Sequence, residues 1–190
     1  MSTMATRRTI LGAALNLFVT RGFHDTSTAR IAKNAGVATG TLFHHFGNKS
    51  NLIDTLHRLI AGHRRTLLAA DLDPDSPISD QLRTLLINDL HWAADHDDQD
   101  RFLRQCRQAP GLALAARPDD PDETPKVTEL MARGRAAGDL RDLPPELLAR
   151  MFFVMSRAVI SHVAGQPELV DDQEFLDRAF AAVWGGLAAS

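Results

Sequence analysis

Along nearly all of this chain apolar side chains recur every three or four residues, and the runs stop at glycine or proline. That period marks one face of an α-helix and is incompatible with the alternation of a half-buried strand. Ile10, Ala14, Leu17 and Phe18 show it first, at i, i+4, i+7 and i+8, and Gly22 stands where a left-handed cap would end the helix. The pattern predicts about nine helices, near residues 6–20, 27–34, 38–45, 49–67, 78–94, 98–108, 126–137, 146–164 and 172–187. Ser27 and Asn48 are placed to cap the second and fourth, Pro77 suits the first turn of the fifth, Pro144-Pro145 opens the eighth, and Asp171 with Glu174 has the spacing of a capping box for the ninth. Between Pro110 and Pro125, four prolines and four acidic residues predict a long loop. The fold class expected is all-α, and an apolar share of 44% allows a buried core.

Several functional classes fall away on composition. One cysteine, Cys106, permits no internal disulfide and no cysteine-rich zinc site. No uncharged apolar run reaches the roughly 18–20 residues that span a bilayer, so no membrane partner is expected. Arg7-Arg8 before Leu11 to Val19 mimics a twin-arginine export signal, but the apolar residues form a helical stripe, Asn16 interrupts them and no A-x-A cleavage site follows. The expected location is therefore the cytoplasm.

A net charge of −3 over 190 residues hides a division. Residues 1–70 hold nine basic side chains against Asp25 and Asp54, so 9 − 2 = +7, while the remaining 120 hold 12 basic and 22 acidic groups, so 12 − 22 = −10. One end is built to meet an acidic partner and the other is not.

The basic end contains the most specific signal, Thr26 to Lys49. A short helix from Ser27 to Asn34, a tight Ala35-Gly36-Val37 turn and a second short helix have the dimensions of a helix-turn-helix. Gly36 supplies the positive φ of the turn, and Ile31, Ala35, Val37, Leu42 and Phe46 supply a core that sets the angle between the helices. The second helix is left exposing Ala38, Thr39, Thr41, His44 and His45, whose hydroxyl, imidazole and methyl groups suit base edges in a major groove. Thr26, Ser27, Thr28, Arg30, Lys33 and Lys49 are placed to clamp flanking phosphates.

The series Ile10-Leu-x-Ala-Ala14-x-x-Leu17-Phe18, Gly22-Phe23, Thr26-Ser27, Ile31-Ala32, Ala35-Gly36-Val37, Gly40-Thr41-Leu42-Phe43-x-His45-Phe46 and Lys49-x-x-Leu52 closely resembles the signature of the tetracycline-repressor (TetR) family. The resemblance covers about residues 6–53. It implies an N-terminal three-helix DNA-binding domain, residues 1–48, and a helical domain for ligand and dimerisation, residues 49–190. It further implies a homodimer on a palindromic double-stranded operator, most simply a repressor released by a small-molecule effector, with no cofactor and no enzymatic activity. Activation by the same fold is the alternative. DNA contacts are implied at Thr28, Thr39, Gly40, Thr41, Phe43, His44, His45 and Lys49. Position 43 departs from the usual tyrosine, so Phe43 keeps the ring without the phosphate-reaching hydroxyl, and packing is the role expected of it ahead of DNA contact.

The acidic half is less specific. Helix 146–164 carries more apolar surface than one face needs, and helix 172–187 interleaves Phe180, Val183 and Trp184 with small residues. A dimer interface through Met155, Val159, Val163, Phe180, Val183 and Trp184 is expected. An effector pocket is expected among Leu86, His91, Trp92, Phe102, Met131 and Phe152. Other constellations weigh less. Asp71-x-Asp73-x-Asp75 begins like a calcium loop but has Ser76 for the required glycine and Leu82 for the bidentate glutamate. His91 and Asp95 could join His162 or Glu129 around a metal, the basis of an alternative reading as a metal-handling helical bundle, and the paired His44-His45 could also ligate. Cys106 near His91 or His96 lacks a fixed base and reads as a packed thiol.

Overall fold

A computed structural model describes residues 3–109 and 125–189. Among the described residues nine α-helices follow in order: α1 Thr3–Arg21, α2 Thr28–Asn34, α3 Thr39–Phe46, α4 Lys49–Leu68, α5 Ile78–Asp95, α6 Asp97–Gln108, α7 Pro125–Ala137, α8 Pro145–Val163 and α9 Gln173–Leu187. Among the described residues the only pairing of β type is a single antiparallel bridge between Leu140 and Ala188. The loop expected over Pro110 to Pro125 lies, up to residue 124, outside the described residues.

Local chemistry sets the element ends. Gly22 takes a φ of 79°, and its amide closes α1 on Phe18 O at 2.8 Å. The Ser27 side chain accepts from Arg30 N at 3.2 Å and Asn48 Oδ1 from Asn51 N at 2.8 Å, so both expected caps are in place. At the last helix the cap shifts by one residue from the expectation. Asp172, not Asp171, is the N-cap, its carboxylate accepting from Phe175 N at 3.0 Å. Asp171 has Glu174 three residues on and Asp172 has Phe175, so spacing favours the first register and only the path of the chain selects the second.

The helices form two compact units. The first takes α1, α2, α3, α4 as far as Gly62, and α6. Its core is Ile10, Ala14, Leu17 and Phe18 of α1 against Ile31, Leu42 and Leu52, all close to fully buried. Helix α6 packs along α1: Phe102 lies 6.2 Å from Phe18 and 5.7 Å from Phe23, ring centre to ring centre, and Gln105 Nε2 donates to Val19 O at 3.3 Å. The first compact unit therefore runs past residue 48, taking α4 as far as Gly62 and adding α6, which packs along α1.

The second unit takes α4 from His63 onward, α5, α7, α8 and α9. Arg64 donates to both carboxylate oxygens of Asp89, at 2.8 and 2.6 Å, and both side chains are buried. Helix α8 is central here: it packs on α5, α7 and α9 and turns Leu148, Phe152, Phe153, Ser156, Ile160 and Val163 inward. The bridge at Leu140 adds hydrogen bonds from Arg141 N to Leu187 O and from Ala189 N to Asp139 O, tying the chain's end to the link between α7 and α8.

Candidate nucleic-acid interface

The turn between α2 and α3 is closed by its own backbone. Gly36, at a φ of 66°, donates to Lys33 O, and Val37 N reaches back to Ala32 O at 3.0 Å. A side chain with a Cβ resists that φ, which is why this position is glycine. Helix α3 is then fixed by its inward stripe, Leu42 and Phe46, and by Arg7 of α1, whose guanidinium carbon lies 5.4 Å from the Phe46 ring centre. In the sequence Arg7 is one of an arginine pair and one of the nine basic charges of residues 1–70. Its spacing from Phe46 could not be read from a pattern, because the two residues belong to different helices.

The opposite side of α3 faces outward. Ala38, Gly40, Phe43 and His44 are exposed, and Thr39, Thr41 and His45 are half-buried. Ala38 is the N-cap and has no side chain to cover the first-turn amides, which leaves the positive end of the helix dipole open to an anion. The His44 and His45 rings lie 5.7 Å apart, edge to face. Phe43 is 44% exposed, so its ring is presented rather than packed away. A bare phenyl at this place offers contact to sugar or thymine methyl but no phosphate hydrogen bond.

The flanking residues sort into two groups. Ser27 is exposed and Thr28 half-buried, while Arg30 and Lys33 of α2 are exposed. The Ser27 hydroxyl accepts the capping bond and keeps its own hydrogen to donate. Thr26 is different. It is fully buried, and its hydroxyl serves Leu17 O at 3.2 Å and Gly22 O at 2.8 Å. Its expected place in a phosphate clamp is corrected to that of an internal latch between the end of α1 and the start of α2. Lys49 is half-buried, and its ammonium donates to Phe23 O. Phe23 thus receives Lys49 on its carbonyl while its ring touches Phe18 and Phe102.

The residues expected in an effector pocket and a dimer face are only partly brought together. Leu86, Trp92, Met131 and Phe152 are buried in the second unit. Phe102 belongs to the first unit, against α1, and the pocket expectation for it is corrected. His91 is exposed, with Nε2 3.5 Å from Asp171 Oδ1, so it neither lines an interior nor pairs with Asp95. His162 stacks on Phe175 at 6.0 Å. Val163 and Val183 are buried within the unit itself and leave the expected dimer face, whereas Met155, Val159, Phe180 and Trp184 stay partly exposed. Burial pushes the Cys106 thiol up to about 12, despite the opposing charge of Arg107, which makes it a poor nucleophile near neutrality. The Asp73 carboxylate accepts from Asp75 N at 3.0 Å, a local turn rather than the opening of a calcium loop.

Comparison with known proteins agrees with this geometry. Residues 10–56 match the model of bacterial regulatory proteins of the tetR family. The chain is 27% identical over 177 residues to the HTH-type transcriptional repressor AcnR of Corynebacterium jeikeium, covering 90% of this chain and 89% of that one. It is 35% identical over 81 residues to the HTH-type transcriptional regulator BetI of Cronobacter sakazakii, a match that spans only 43% of this chain and 40% of BetI. A crystal structure of a tetR family transcription regulator from Shewanella sp. PV-4 superposes with a TM-score of 0.90 at 30% identity, over 97% of this chain and 99% of that one. A matching helix-turn-helix at one end and a matching fold along the full length have one explanation: the chain belongs to the tetR family of bacterial transcriptional regulators.

Proposed function

We propose that this regulator is a cytoplasmic homodimeric repressor that holds a palindromic operator through α3 and its flank and is released by a small-molecule effector. The observation that carries the DNA reading is α3 itself: inward Leu42 and Phe46 anchor it, and Thr39, Gly40, Thr41, Phe43, His44 and His45 lie on its accessible side under an uncapped N-terminus. Exposed Arg30 and Lys33, together with Ser27 and Thr28, supply phosphate contacts that position without reading sequence. Lys49 joins them on exchanging the Phe23 carbonyl for a phosphate oxygen. Repression, rather than activation, is supported by the repressor AcnR, which is similar along nearly its whole length.

Dimerisation is assigned to α8 and α9. Val154 is 53% and Leu147 43% exposed, Met155, Val159, Phe180 and Trp184 are partly exposed, and small Ala181, Ala182 and Gly185 lie open beside them. Such a surface permits close approach of helices across a two-fold axis. Two recognition helices would then enter successive major grooves about 34 Å apart. Effector binding belongs to the second unit, and α4, continuous from Lys49 to Leu68, is the lever it acts on. A coupling of about 1–3 kcal/mol would weaken operator affinity several-fold to a hundredfold.

The deciding measurement is a nuclease footprint of the protein on DNA upstream of its own gene, repeated with candidate effectors. A protected pseudo-palindrome that is lost on effector addition is expected, and uniform absence of protection would overturn the reading.

A further inference from the structure

We propose that Trp92 provides the hydrogen-bond donor that seats an effector in the second unit, and that this effector is uncharged and amphipathic, with a carbonyl-type acceptor at one end of an apolar body. The inference rests on the effector reading above and adds the ligand's chemistry. Trp92 is 3% exposed, and its Nε1 is buried with no hydrogen-bond partner among the described residues. An indole N–H can only donate, and donors buried in folded chains are almost always paired, so an orphan of this kind calls for a missing acceptor. The ring itself is already engaged: the Arg64 guanidinium carbon lies 5.7 Å from the ring centre, and His96 stacks on it at 5.5 Å and 13°. The N–H is the part of Trp92 still unmet.

The charge around it selects the ligand class. Arg64 is the nearby cation, and its two hydrogen bonds to Asp89 bury it with a carboxylate already matched to it. An ionised ligand would be buried beside this neutral pair without a countercharge of its own, whereas a ketone, ester or amide oxygen accepts from Nε1 with no charge to compensate. The apolar body follows from the rest of the unit. Leu85, two turns before Trp92 on the same face of α5, and Leu82 are buried aliphatics, and α8 packs against that helix with Phe152 and Phe153 turned inward. Ser156 of α8 is a second buried polar side chain of this unit without a hydrogen-bond partner among the described residues.

The test uses the full chain, titrated with 2-undecanone, decanoate and undecane as neutral-acceptor, anionic and purely apolar probes. The chain has two tryptophans, so its two indole N–H resonances are assigned through Trp184→Phe, which removes the other one. The ketone is expected to move the Trp92 resonance downfield and slow its exchange with solvent, undecane to leave it in place, and decanoate to bind at least tenfold more weakly than the ketone. Trp92→Phe, which keeps an aromatic side chain and deletes the donor, should lose about tenfold in ketone affinity. Unchanged ketone affinity in that variant, decanoate binding as tight as the ketone, or a Trp92 resonance indifferent to all three probes, as for an N–H held by water alone, would overturn the proposal. The resonance itself reports even if Trp92→Phe fails to fold. Operator affinity measured in the same samples separates the two levels: ketone bound through Trp92 with undiminished operator binding supports the site and removes effector control, while a site that fails beside an intact footprint leaves the regulator reading standing.

Discussion

Thr26 shows how a side chain of the right type at the right place can have a different task. It stands where a phosphate-clamping hydroxyl was expected, yet its hydroxyl is spent on the carbonyls of Leu17 and Gly22 inside the first unit. Thr26→Val keeps the shape and removes the donor, so it should destabilise the fold by about 1–3 kcal/mol in denaturant unfolding. Operator affinity of the folded variant should be unchanged, and a loss of affinity without a loss of stability would return Thr26 to the interface. Cys106 carries a second prediction at this scale. Burial raises its folded value to about 12 from an ordinary 9.0, so the unfolded chain gives up the thiol proton first as pH rises. The contribution to stability is fully present below about pH 9 and is lost progressively from there toward pH 12, a trend that Cys106→Ala should abolish in unfolding curves. In the native protein the thiol should also resist an aromatic disulfide reagent at pH 8.

At the scale of elements the helix-turn-helix is a device for holding one short helix at a defined angle. Gly36 is its hinge, and Gly36→Ala at a φ of 66° should cost about 1–2 kcal/mol and weaken operator binding by displacing α3. Substitutions on the outward face act without unfolding anything. Thr39→Ala or His44→Ala should cost about 1–3 kcal/mol of operator affinity per lost base contact while leaving non-specific binding nearly intact, and competition titrations with scrambled DNA distinguish the two. Much of this element was legible in advance. Ser27, Gly22, Gly36 and Asn48 act through bonds to residues within five positions, and interactions that short are visible to anyone reading spacing. Contacts between elements, such as Arg7 over Phe46 and Lys49 on the Phe23 carbonyl, leave no such mark in the spacing.

At the scale of the whole molecule the prediction concerns the number of chains. Val154 is exposed on α8 amid partly exposed Met155 and Val159, so Val154→Glu should leave the monomer's fold intact while placing a charge in the proposed interface. Sedimentation should then show a monomer, with operator affinity reduced by at least tenfold because only one half-site is held at a time. A dimer as stable as the parent would move the interface elsewhere. The division of charge works at the same scale: doubling the +7 of residues 1–70 in a dimer makes binding strongly salt dependent.

The amino-acid order alone determined the all-α class, the number and approximate ends of the helices, and the helix-turn-helix, because periodicity, capping and a left-handed glycine are local properties of the chain. It also located the basic end. Tertiary structure decided the membership of α6 in the first unit, the burial of Thr26, Val163 and Val183, the pairing of Arg64 with Asp89 and the unpartnered Trp92 N–H. These depend on residues distant in the chain converging on one another. A helix with more than one apolar face, such as α8, does not say which face will be buried until its neighbours are in place.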